Sequence, residues 1–597
     1  MTNIKKFELS DPETRSADIL AGNVEALKEL FPEAFAEGKI DFEVLKGLLG
    51  GLVDERDEKY GLNWHGKRRA RQISLTPSTG TLLPCPDESV DWDTTQNLMI
   101  EGDNLEVLKL LQKSYTGEVK LIYIDPPYNT GNDFVYPDDF SDSVNNYLEL
   151  TGQVEGGRRI SSNSETSGRF HTNWLNMMYP RIKLAREILS QDGSIWISVD
   201  GKELENLSGM LKEIFGTENY IGSFIWEKRL TRENRKVFSV NHDYILCATK
   251  DRIAFESVRG MLPLSSEAEE RYTNPDNDPR GLWQSVSFNA QSGHATKDQF
   301  YEFTTPGGRL IELPPGRCWS VTRPRLEELI LDNRVWFGES GNNVPREKLF
   351  LSEAKRGLVP HTLWAADEVG TTDGAKKALI DLFSDRDVFD TPKPVQLIQR
   401  IVEIGSLDGE LVLDFFAGSG TAAHAVLAEN ARVGGNRKFI LVQLPEPLDP
   451  NDKDQKSAVE LCDTLGVARN LAELTKERLR RAAGKIQTDS PMFSGDTGFR
   501  VFKLASSNIR TWSPNAADLE NSLLKNAEHL VRGRSEKDVL YEMLLKLGLD
   551  LCVPIEARTI ADKAVYSIGG GVLAHLIQCA PTARFTSGGR IHPGSCR

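Results

Sequence analysis

One short stretch, an apolar run that ends in Asp-Pro-Pro-Tyr, constrains the fold of this chain more than any other. Residues 119–124 are mostly apolar and rich in β-formers, which predicts a buried strand. Asp125 follows where this strand ends, and neither Pro126 nor Pro127 can donate the hydrogen bonds that would continue strand pairing. Because ligands in open α/β sheets bind at the carboxyl ends of strands, the stretch predicts a rigid binding shelf.

The groups on this shelf suit a planar heterocycle that carries an amine. The Asp125 carboxylate and the Pro126 carbonyl both accept hydrogen bonds from an amino group, and the Tyr128 ring stacks on a flat base. Such a set fits the exocyclic amine of a nucleobase turned out of its helix. The alternative is an ordinary strand-to-loop turn with a solvated Asp125, which Asp-Pro alone favours and the full Asp-Pro-Pro-Tyr does not.

A second strand-turn-helix pattern lies far along the chain. Residues 411–414 predict a strand, Phe416, Gly418 and Gly420 follow it, and a run of helix formers begins at Thr421. The glycines let the backbone approach a ligand at a helix N-terminus. The loop lacks the Gly-Lys-Ser/Thr ending of a phosphate loop and the full glycine spacing of a dinucleotide fingerprint, which disfavours those two ligand classes. A generic nucleotide loop is the alternative.

Together the two motifs resemble those of the amino-group DNA methyltransferases. Asp125–Tyr128 is similar to their catalytic motif, and Phe416-x-Gly418-x-Gly420 is similar to their S-adenosylmethionine loop. The catalytic motif comes first and the cofactor motif last, an order that resembles the β class. With Asp at the first position, the resemblance implies methylation of adenine N6 without a metal, and it makes Asp125–Tyr128 the catalytic residues.

The resemblance also implies a set of cofactor-binding residues. In the family a Gly-Asp pair, here Gly102-Asp103, lies beside the adenine of the cofactor, while a helix N-cap is the alternative role for Asp103. Lys393 is implied to line the pocket, and Gln443 or Glu446 ends a predicted strand where the ribose hydroxyls would lie. The implied set is Asp103, Lys393, Asp414, Phe416, Gly418, Gly420, Thr421 and Gln443.

Three further stretches extend the resemblance over nearly the whole chain. Residues 60–68, 499–504 and 539–549 are similar to parts of the Mod subunits of type III restriction-modification systems. The resemblance implies a cytoplasmic subunit that recognises and methylates double-stranded DNA, forms a homodimer and works with a separate ATP-dependent Res subunit. Residues 580–597 depart from the family pattern, which predicts an altered or truncated tail.

Two other functions are compatible with the same motifs. One is a DNA-recognition subunit that has lost its methylation activity, which the intact motifs disfavour. The other keeps the chemistry but acts on RNA or on a protein amide, where related Pro-Pro-Tyr motifs occur. The resemblance along the chain favours DNA.

Composition and charge narrow the class of protein. The net charge of −15 is unusual for a DNA-binding protein, yet basic residues cluster locally at 67–71 and 228–236. The seven cysteines show no CxxC spacing, which predicts neither a zinc site nor a disulfide framework. The chain has no apolar run of membrane-spanning length and no apolar leader, so we expect neither a membrane span nor secretion.

Alternating strand and helix patterns predict an α/β fold. We expect a doubly wound, Rossmann-like methyltransferase sheet with an inserted target-recognition domain and a C-terminal α/β piece. The predicted parts are a helical arm at 1–72, the catalytic half of the core at 73–227, the target-recognition insert at 228–390, the cofactor half at 391–490 and the C-terminal domain at 491–597.

Overall fold

The chain divides into two units. One comprises Met1–Gly260 and Thr362–Arg597, and the other is Met261–His361. The predicted altered tail, which begins at residue 580, lies outside the described residues. The computed structural model describes residues 15–36, 39–49, 61–129, 170–233, 237–263, 269–353, 357–509, 530–560, 563–569 and 573–576.

A central sheet of ten strands organises the larger unit. In space the strands follow the order β7-β5-β6-β4-β3-β8-β9-β2-β10-β1, numbered along the chain. Their bounds are β1 (Gly80–Pro84), β2 (Leu98–Glu101), β3 (Val119–Ile124), β4 (Leu189–Val199), β5 (Tyr220–Glu227), β6 (His242–Thr249), β7 (Leu363–Trp364), β8 (Leu411–Asp414), β9 (Lys438–Gln443) and β10 (Arg500–Ser506).

Six neighbouring strands, from β4 to β10 in the spatial order, run parallel. At one end of this block β6 pairs antiparallel with β4 and β5, and at the other end β1 pairs antiparallel with β10. The predicted α/β class and Rossmann-like sheet are confirmed. The strands predicted at 119–124 and 411–414 are β3 and β8 of this sheet.

Two groups of helices pack on the sheet. One group contains α3, α4, α5, α6 and α15, and the other contains α9 to α14. The bounds are α1 (Ile19–Leu30), α2 (Phe42–Leu49), α3 (Lys67–Leu75), α4 (Asn104–Tyr115), α5 (Phe170–Ile188), α6 (Leu204–Phe215), α7 (Arg252–Val258), α8 (Arg323–Leu331), α9 (Ala366–Val369), α10 (Thr372–Leu382), α11 (Val395–Gly405), α12 (Thr421–Val433), α13 (Lys456–Leu465), α14 (Leu471–Asp489) and α15 (Glu536–Leu547).

The centre of the sheet is the core of the larger unit. Every residue of β3 is buried, as a parallel strand covered on both faces requires. Ile122, Leu413 and Val442 come from three of the parallel strands and have no more than 1% of their surface exposed. Burying each such side chain stabilises the fold by about 1.5–3 kcal/mol.

The strand order reverses between β3 and β8. From β3 the chain continues through α5 to β4 on one side, and from β8 it continues through α12 to β9 on the other side. The loops that leave β3 and β8 therefore turn away from each other. In a doubly wound sheet this reversal opens a crevice at the carboxyl ends of the two strands.

The last part of the chain contributes to the same sheet. β10 lies between β2 and β1, so the segment predicted as a separate C-terminal domain begins within the core sheet. Beyond it, three antiparallel strands form a small sheet, Ile555–Ile560, Lys563–Ile568 and Leu573–Leu576. Near the start of the chain, Phe35–Ala36 pairs with Lys39–Ile40.

The smaller unit lies wholly within the predicted target-recognition insert. Its core packs Phe288, Ile311 and Trp319 against Leu326 and Leu329 of α8. Its strands are short and antiparallel, namely Trp283–Ser287, Asn289–Gln291, Phe303–Thr304, Leu310–Ile311, Arg317–Trp319, Val335–Trp336 and Arg346–Phe350. The insert boundaries at 228 and 390 stay a prediction.

The basic cluster at 67–71 has a structural role. Lys67 and Arg71 both form ion pairs with Glu213 on α6, at 2.7 and 3.3 Å. These contacts tie α3 to the helical layer over the sheet. Among the described residues, no helix combines the length and the apolar character that a membrane crossing requires.

Candidate active site

The two sequence motifs meet at the reversal point between β3 and β8. Loops from both strand ends line a single pocket. Asp103 and Gly420 are not part of its lining. The predicted site residues that line it are Asp125, Pro126, Pro127, Tyr128, Lys393, Asp414, Phe416, Gly418, Thr421 and Gln443.

The Asp-Pro-Pro-Tyr loop is held from behind by buried side chains. The indole of Trp174, on α5, donates a hydrogen bond of 2.7 Å to the Pro127 carbonyl. Asn129 adopts a left-handed conformation with φ of 59°, which Asn tolerates better than most residues. Its amide donates to the buried Glu203 carboxylate at 2.5 Å. These hydrogen bonds hold the loop in place at the end of β3, while its rigidity stays a prediction from the two prolines.

The two carboxylate oxygens of Asp125 have different surroundings. Oδ2 lies 2.5 Å from the ammonium nitrogen of Lys393, which also lies 4.8 Å from the centre of the Tyr128 ring. Oδ1 is buried and has no hydrogen-bond partner among the described residues. A buried acceptor without a partner is costly, and Asp125 is one of the residues that line the pocket. Oδ1 is therefore the oxygen of Asp125 whose hydrogen-bonding capacity the described residues leave unsatisfied.

Tyr128 presents a neutral ring beside this carboxylate. Burial and the nearby charge of Asp125 raise the pKa of the Tyr128 hydroxyl well above its ordinary value. The hydroxyl oxygen, like Asp125 Oδ1, is buried without a hydrogen-bond partner in the described part of the chain. The ring therefore stays uncharged at any ordinary pH, which suits stacking on a planar base.

Positive backbone angles shape the glycine loop. Gly418 and Gly420 have φ of 52° and 83°, a region that favours glycine. The Gly418 N–H donates to Gln443 Oε1 at 2.6 Å, and the hydroxyl of Thr475 on α14 donates to the Gly418 carbonyl at 2.6 Å. The loop therefore bridges the end of β9 and the helix α14.

A buried arginine supports the loop from below. One guanidinium nitrogen of Arg478 donates to the hydroxyls of Ser419 and Thr421, at 2.5 and 2.8 Å. Thr421 thus lines the pocket and is also held by α14. Sequence reasoning missed Arg478 and Thr475, because both lie in a helix well beyond the motif that they support.

Asp414 is a buried carboxyl at the end of β8. Its Oδ1 accepts a hydrogen bond from the Phe416 N–H at 3.0 Å and so closes the turn into the glycine loop. Burial raises the pKa of Asp414 well above its ordinary value, and the negative charge of Asp125 adds to this shift. Asp414 therefore shapes the loop as well as lining the pocket.

Asp103 acts as a helix cap. Its Oδ1 accepts hydrogen bonds from the N–H groups of Leu105 and Glu106, at 3.0 and 3.1 Å, which starts α4. Its Oδ2 lies 3.5 Å from the guanidinium of the fully buried Arg181. This is the N-cap alternative that the sequence leaves open. A contact of Asp103 with the cofactor stays a prediction.

The hairpin of β5 and β6 adds residues to the pocket that the motifs do not predict. Trp226, Lys228, Arg229 and Asp243 line it, and Lys228 Nζ lies 2.7 Å from Asp243 Oδ1. The basic cluster at 228–236 directly follows the predicted catalytic half at 73–227, which was a signal for a position at the pocket. Sequence reasoning assigned this cluster to the insert instead.

The fold and the site define the class of the protein. The DNA methylase family matches residues 119–444, which is more than half of the 597-residue chain. This span begins with β3 and ends just after β9, so it contains both loops of the pocket. The protein is a DNA methyltransferase, and S-adenosylmethionine is its cofactor.

Two relatives place the chain more closely. It is 34% identical over 491 residues to the StyLTI Mod subunit, a type III restriction-modification enzyme of Salmonella typhimurium, covering 80% of this chain and 71% of that one. It is 31% identical over 541 residues to the EcoP15I Mod subunit of Escherichia coli, covering 84% of this chain and 79% of that one. The chain belongs to the family of Mod subunits of type III restriction-modification enzymes.

A solved structure also matches the chain, at much lower similarity. It is the TTHA0409 DNA modification methylase of Thermus thermophilus in complex with S-adenosyl-L-methionine. The match has 14% identity and a TM-score of 0.28, and it covers 68% of this chain and 97% of that one. A score this low does not relate individual residues of the two sites.

Proposed function

We propose that this chain methylates the N6 amine of adenine in double-stranded DNA, as the modification and specificity subunit of a type III system. The observation that carries the proposal is the unpartnered Asp125 Oδ1 near the half-buried Tyr128 ring, in the same pocket as the glycine loop. A carboxylate acceptor next to an aromatic face suits an amine on a planar base. Asp at this position favours adenine over cytosine.

The residues of the pocket fit S-adenosylmethionine. The glycine loop brings backbone close to the ligand at the N-terminus of α12, and Gln443 and Glu446 place polar oxygens at the end of β9. We assign the cofactor contacts to Phe416, Gly418 and these two residues. The cofactor supplies a methyl group activated by a sulfonium.

The chain must make a poor nucleophile react. The lone pair of an adenine amine is delocalised into the ring, and it becomes available only when the nitrogen rehybridises. Asp125 Oδ1 and the Pro126 carbonyl accept the two amine hydrogens, and this interaction strengthens as positive charge develops on the nitrogen. The nitrogen would gain the methyl group as the carbon–sulfur bond of the sulfonium breaks and a neutral thioether leaves, and it would lose one proton, for which Asp125 is the nearby acceptor.

The rigid shelf orients the base for this transfer. Tyr128 stacks on the base, while Trp174 and Glu203 hold the loop that carries both groups. Fixing the amine in line with the methyl group removes an entropic part of the barrier. The supporting hydrogen bonds therefore act through position and do not touch the reacting atoms.

The resemblance to Mod subunits supports further proposals. On that likeness, the chain forms a homodimer in the cytoplasm and works with a separate Res subunit that supplies ATP-dependent cleavage. We assign sequence specificity to the predicted insert at 228–390, which contains the compact unit Met261–His361. Exchanging this unit for the corresponding unit of a relative, and reading the methylated sequence, tests the assignment.

Nucleoside analysis of the product tests the proposal. Tritiated methyl transfer to DNA, followed by enzymatic digestion, should yield N6-methyladenine and no N4-methylcytosine. Asp125→Ala should lower turnover on the order of 10²-fold or more, with S-adenosylmethionine binding retained. Asp125→Asn, which keeps one acceptor oxygen, should lose less. Finding N4-methylcytosine, or full activity of Asp125→Ala, would overturn the assignment.

A further inference from the structure

An exposed apolar tip lies on the loop that joins β5 to β6. Val237 and Phe238 have 92% and 83% of their surface exposed, and Leu230 and Val240 are also largely exposed. Residues 234–236 of this loop lie outside the described part of the chain. Single exposed apolar side chains are common, but four of them on one short loop form a group of the kind that marks an interaction site.

The base of this loop is ordered by hydrogen bonds. The Asn241 amide donates to the carbonyls of Arg229 and Thr231, at 3.1 and 3.2 Å. The Ser239 hydroxyl donates to Asn241 Oδ1 at 2.5 Å and accepts from the Glu233 N–H at 2.9 Å. Phe238 directly precedes Ser239, so the backbone that carries its exposed ring is held in place by these hydrogen bonds.

The same network places the tip beside the catalytic pocket. Lys228 and Arg229 line the pocket, and the N–H groups of both donate to the Asn241 carbonyl, at 2.9 and 3.3 Å. Phe238 is three residues from Asn241, so its Cα lies within about 11 Å of the Asn241 Cα even with a fully extended chain. A duplex whose base enters the pocket therefore approaches the loop that carries Phe238.

Charge indicates nucleic acid as the partner. Arg229 and Arg232 are exposed beside the apolar tip, where Glu233 is an acidic neighbour, while Lys228 at the pocket is paired with Asp243. Cations around a small apolar wedge match the surface of a duplex, where phosphates flank a stack of bases. Proteins that distort duplexes insert Phe or Leu between base steps in this way.

We propose that Phe238 enters the duplex and fills the gap that the target adenine leaves when it turns into the pocket. The proposal rests on the proposed function, because only an enzyme that extrudes a base leaves such a gap. Unstacking and unpairing the base is costly, and a ring that replaces its stacking contacts lowers that cost. Phe238 is then a residue for base extrusion and not a catalytic residue.

Two DNA substrates separate extrusion from chemistry. After the methylated site is mapped by sequencing, one duplex carries the target adenine paired with thymine and a second carries it opposite an abasic site. Phe238→Ala should slow single-turnover methylation of the paired duplex by about tenfold and leave the abasic duplex at the wild-type rate. Phe238→Trp should restore most of the rate on the paired duplex.

Ile253→Ala is the matched control, because Ile253 on α7 is equally exposed at 83%. It should leave both rates unchanged. Fluorescence of 2-aminopurine at the target position should rise on binding to the wild type and rise less with Phe238→Ala.

Each contrary outcome has a distinct meaning. If Phe238→Ala slowed methylation of both duplexes equally, or of neither, the proposed insertion of Phe238 into the duplex would be overturned. If Phe238→Ala changed the oligomeric state in sedimentation and did not slow methylation of the paired duplex selectively, the loop would be a protein–protein contact. That result would also overturn the proposed insertion of Phe238 into the duplex. A wild type that produces no N6-methyladenine would overturn the proposed function instead.

Discussion

Lys393 and Asp125 are 268 residues apart in the sequence, yet the Lys393 ammonium lies 2.5 Å from Asp125 Oδ2 in the pocket. The same ammonium lies over the Tyr128 ring. One carboxylate oxygen is therefore held by the chain itself, and the other has no hydrogen-bond partner among the described residues. The resemblance implied a cofactor contact for Lys393, while the structure places it against two residues of the catalytic motif.

This contact predicts a positioning role for Lys393. Lys393→Met should lower turnover on the order of 10²-fold, because the Asp125 carboxylate loses the group that orients it. Affinity for S-adenosylmethionine, measured by calorimetry, should change much less, and Lys393→Arg should retain part of the turnover. A lost cofactor affinity with unchanged turnover at saturating cofactor would instead support the role that the resemblance implied.

Tyr128 should act through its ring and not through its hydroxyl. The hydroxyl has no hydrogen-bond partner among the described residues, so Tyr128→Phe should keep most of the turnover. Tyr128→Ala removes the stacking surface and should reduce turnover by about tenfold to a hundredfold. The measurement is single-turnover methylation of a duplex. An equal loss in both variants would show that the hydroxyl takes part.

Gly418 should be required for cofactor binding. A side chain there meets Phe389 at 3.4 Å in the pocket and must adopt a φ of 52°. Gly418→Val should abolish S-adenosylmethionine binding in calorimetry while circular dichroism shows a folded chain. Gly434→Val controls for backbone strain, because Gly434 has a φ of 68° and open space around its Cβ position. Normal affinity in folded Gly418→Val would contradict the loop assignment.

The predicted insert should determine which DNA sequence is methylated. Replacing residues 228–390 by the same region of a related Mod subunit should change the methylated sequence, because this region contains the separate unit Met261–His361. A second chimera that exchanges only 261–361 should change it as well. Sequencing of methylated adenines in cellular DNA reads the result. An active chimera with the original recognition site would place specificity elsewhere.

Stability of the smaller unit should fall in acid because of Asp278. Hydrogen bonds from Arg280 hold the pKa of Asp278 well below its ordinary value, and the buried Lys348 contributes to the same shift. A carboxyl with a lowered folded pKa stabilises the fold above the ordinary Asp pKa of about 3.9, and this contribution is lost as the pH falls below that value.

Substitution of Asp278 should reproduce this loss at neutral pH. Asp278→Asn removes one of the two carboxylates that pair with the buried Lys348, the other being Asp276, and should cost about 1–3 kcal/mol of unfolding free energy. Hydrogen exchange of peptides from 269–353 measures the change. Asp332→Asn, at an exposed partner of Arg280, should cost less than about 1 kcal/mol. A difference between wild type and Asp278→Asn that does not shrink as the pH falls from 5 to 2 would contradict the electrostatic cause.

Some features of the site follow from local sequence alone. The apolar residues of β3, the two prolines after Asp125 and the glycines after β8 restrict backbone conformation wherever they occur. Strand ends and loop types are local properties of this kind. The Asp-Pro-Pro-Tyr shelf and the glycine loop were therefore predictable without a fold.

Other features depend on which distant segments pack together. Asp103 accepts hydrogen bonds from two N–H groups of α4. From the sequence alone, its position before the helix fits this capping role and ligand binding equally well. Arg478 reaches the glycine loop only because α14 packs on α12. Likewise β10 joins the core sheet although it lies in the segment predicted as a separate domain.

The sequence by itself determined the two loops, the alternation of strands and helices and the chemical groups available at the strand ends, because each depends on the conformational limits of a few neighbouring residues. Only the tertiary structure decided that Lys393 pairs with Asp125, that Asp103 caps a helix and that the loop bearing Phe238 stands at the pocket rim. Those outcomes depend on strand order and helix packing, which place side chains from separate segments within a few ångströms and which no local pattern encodes.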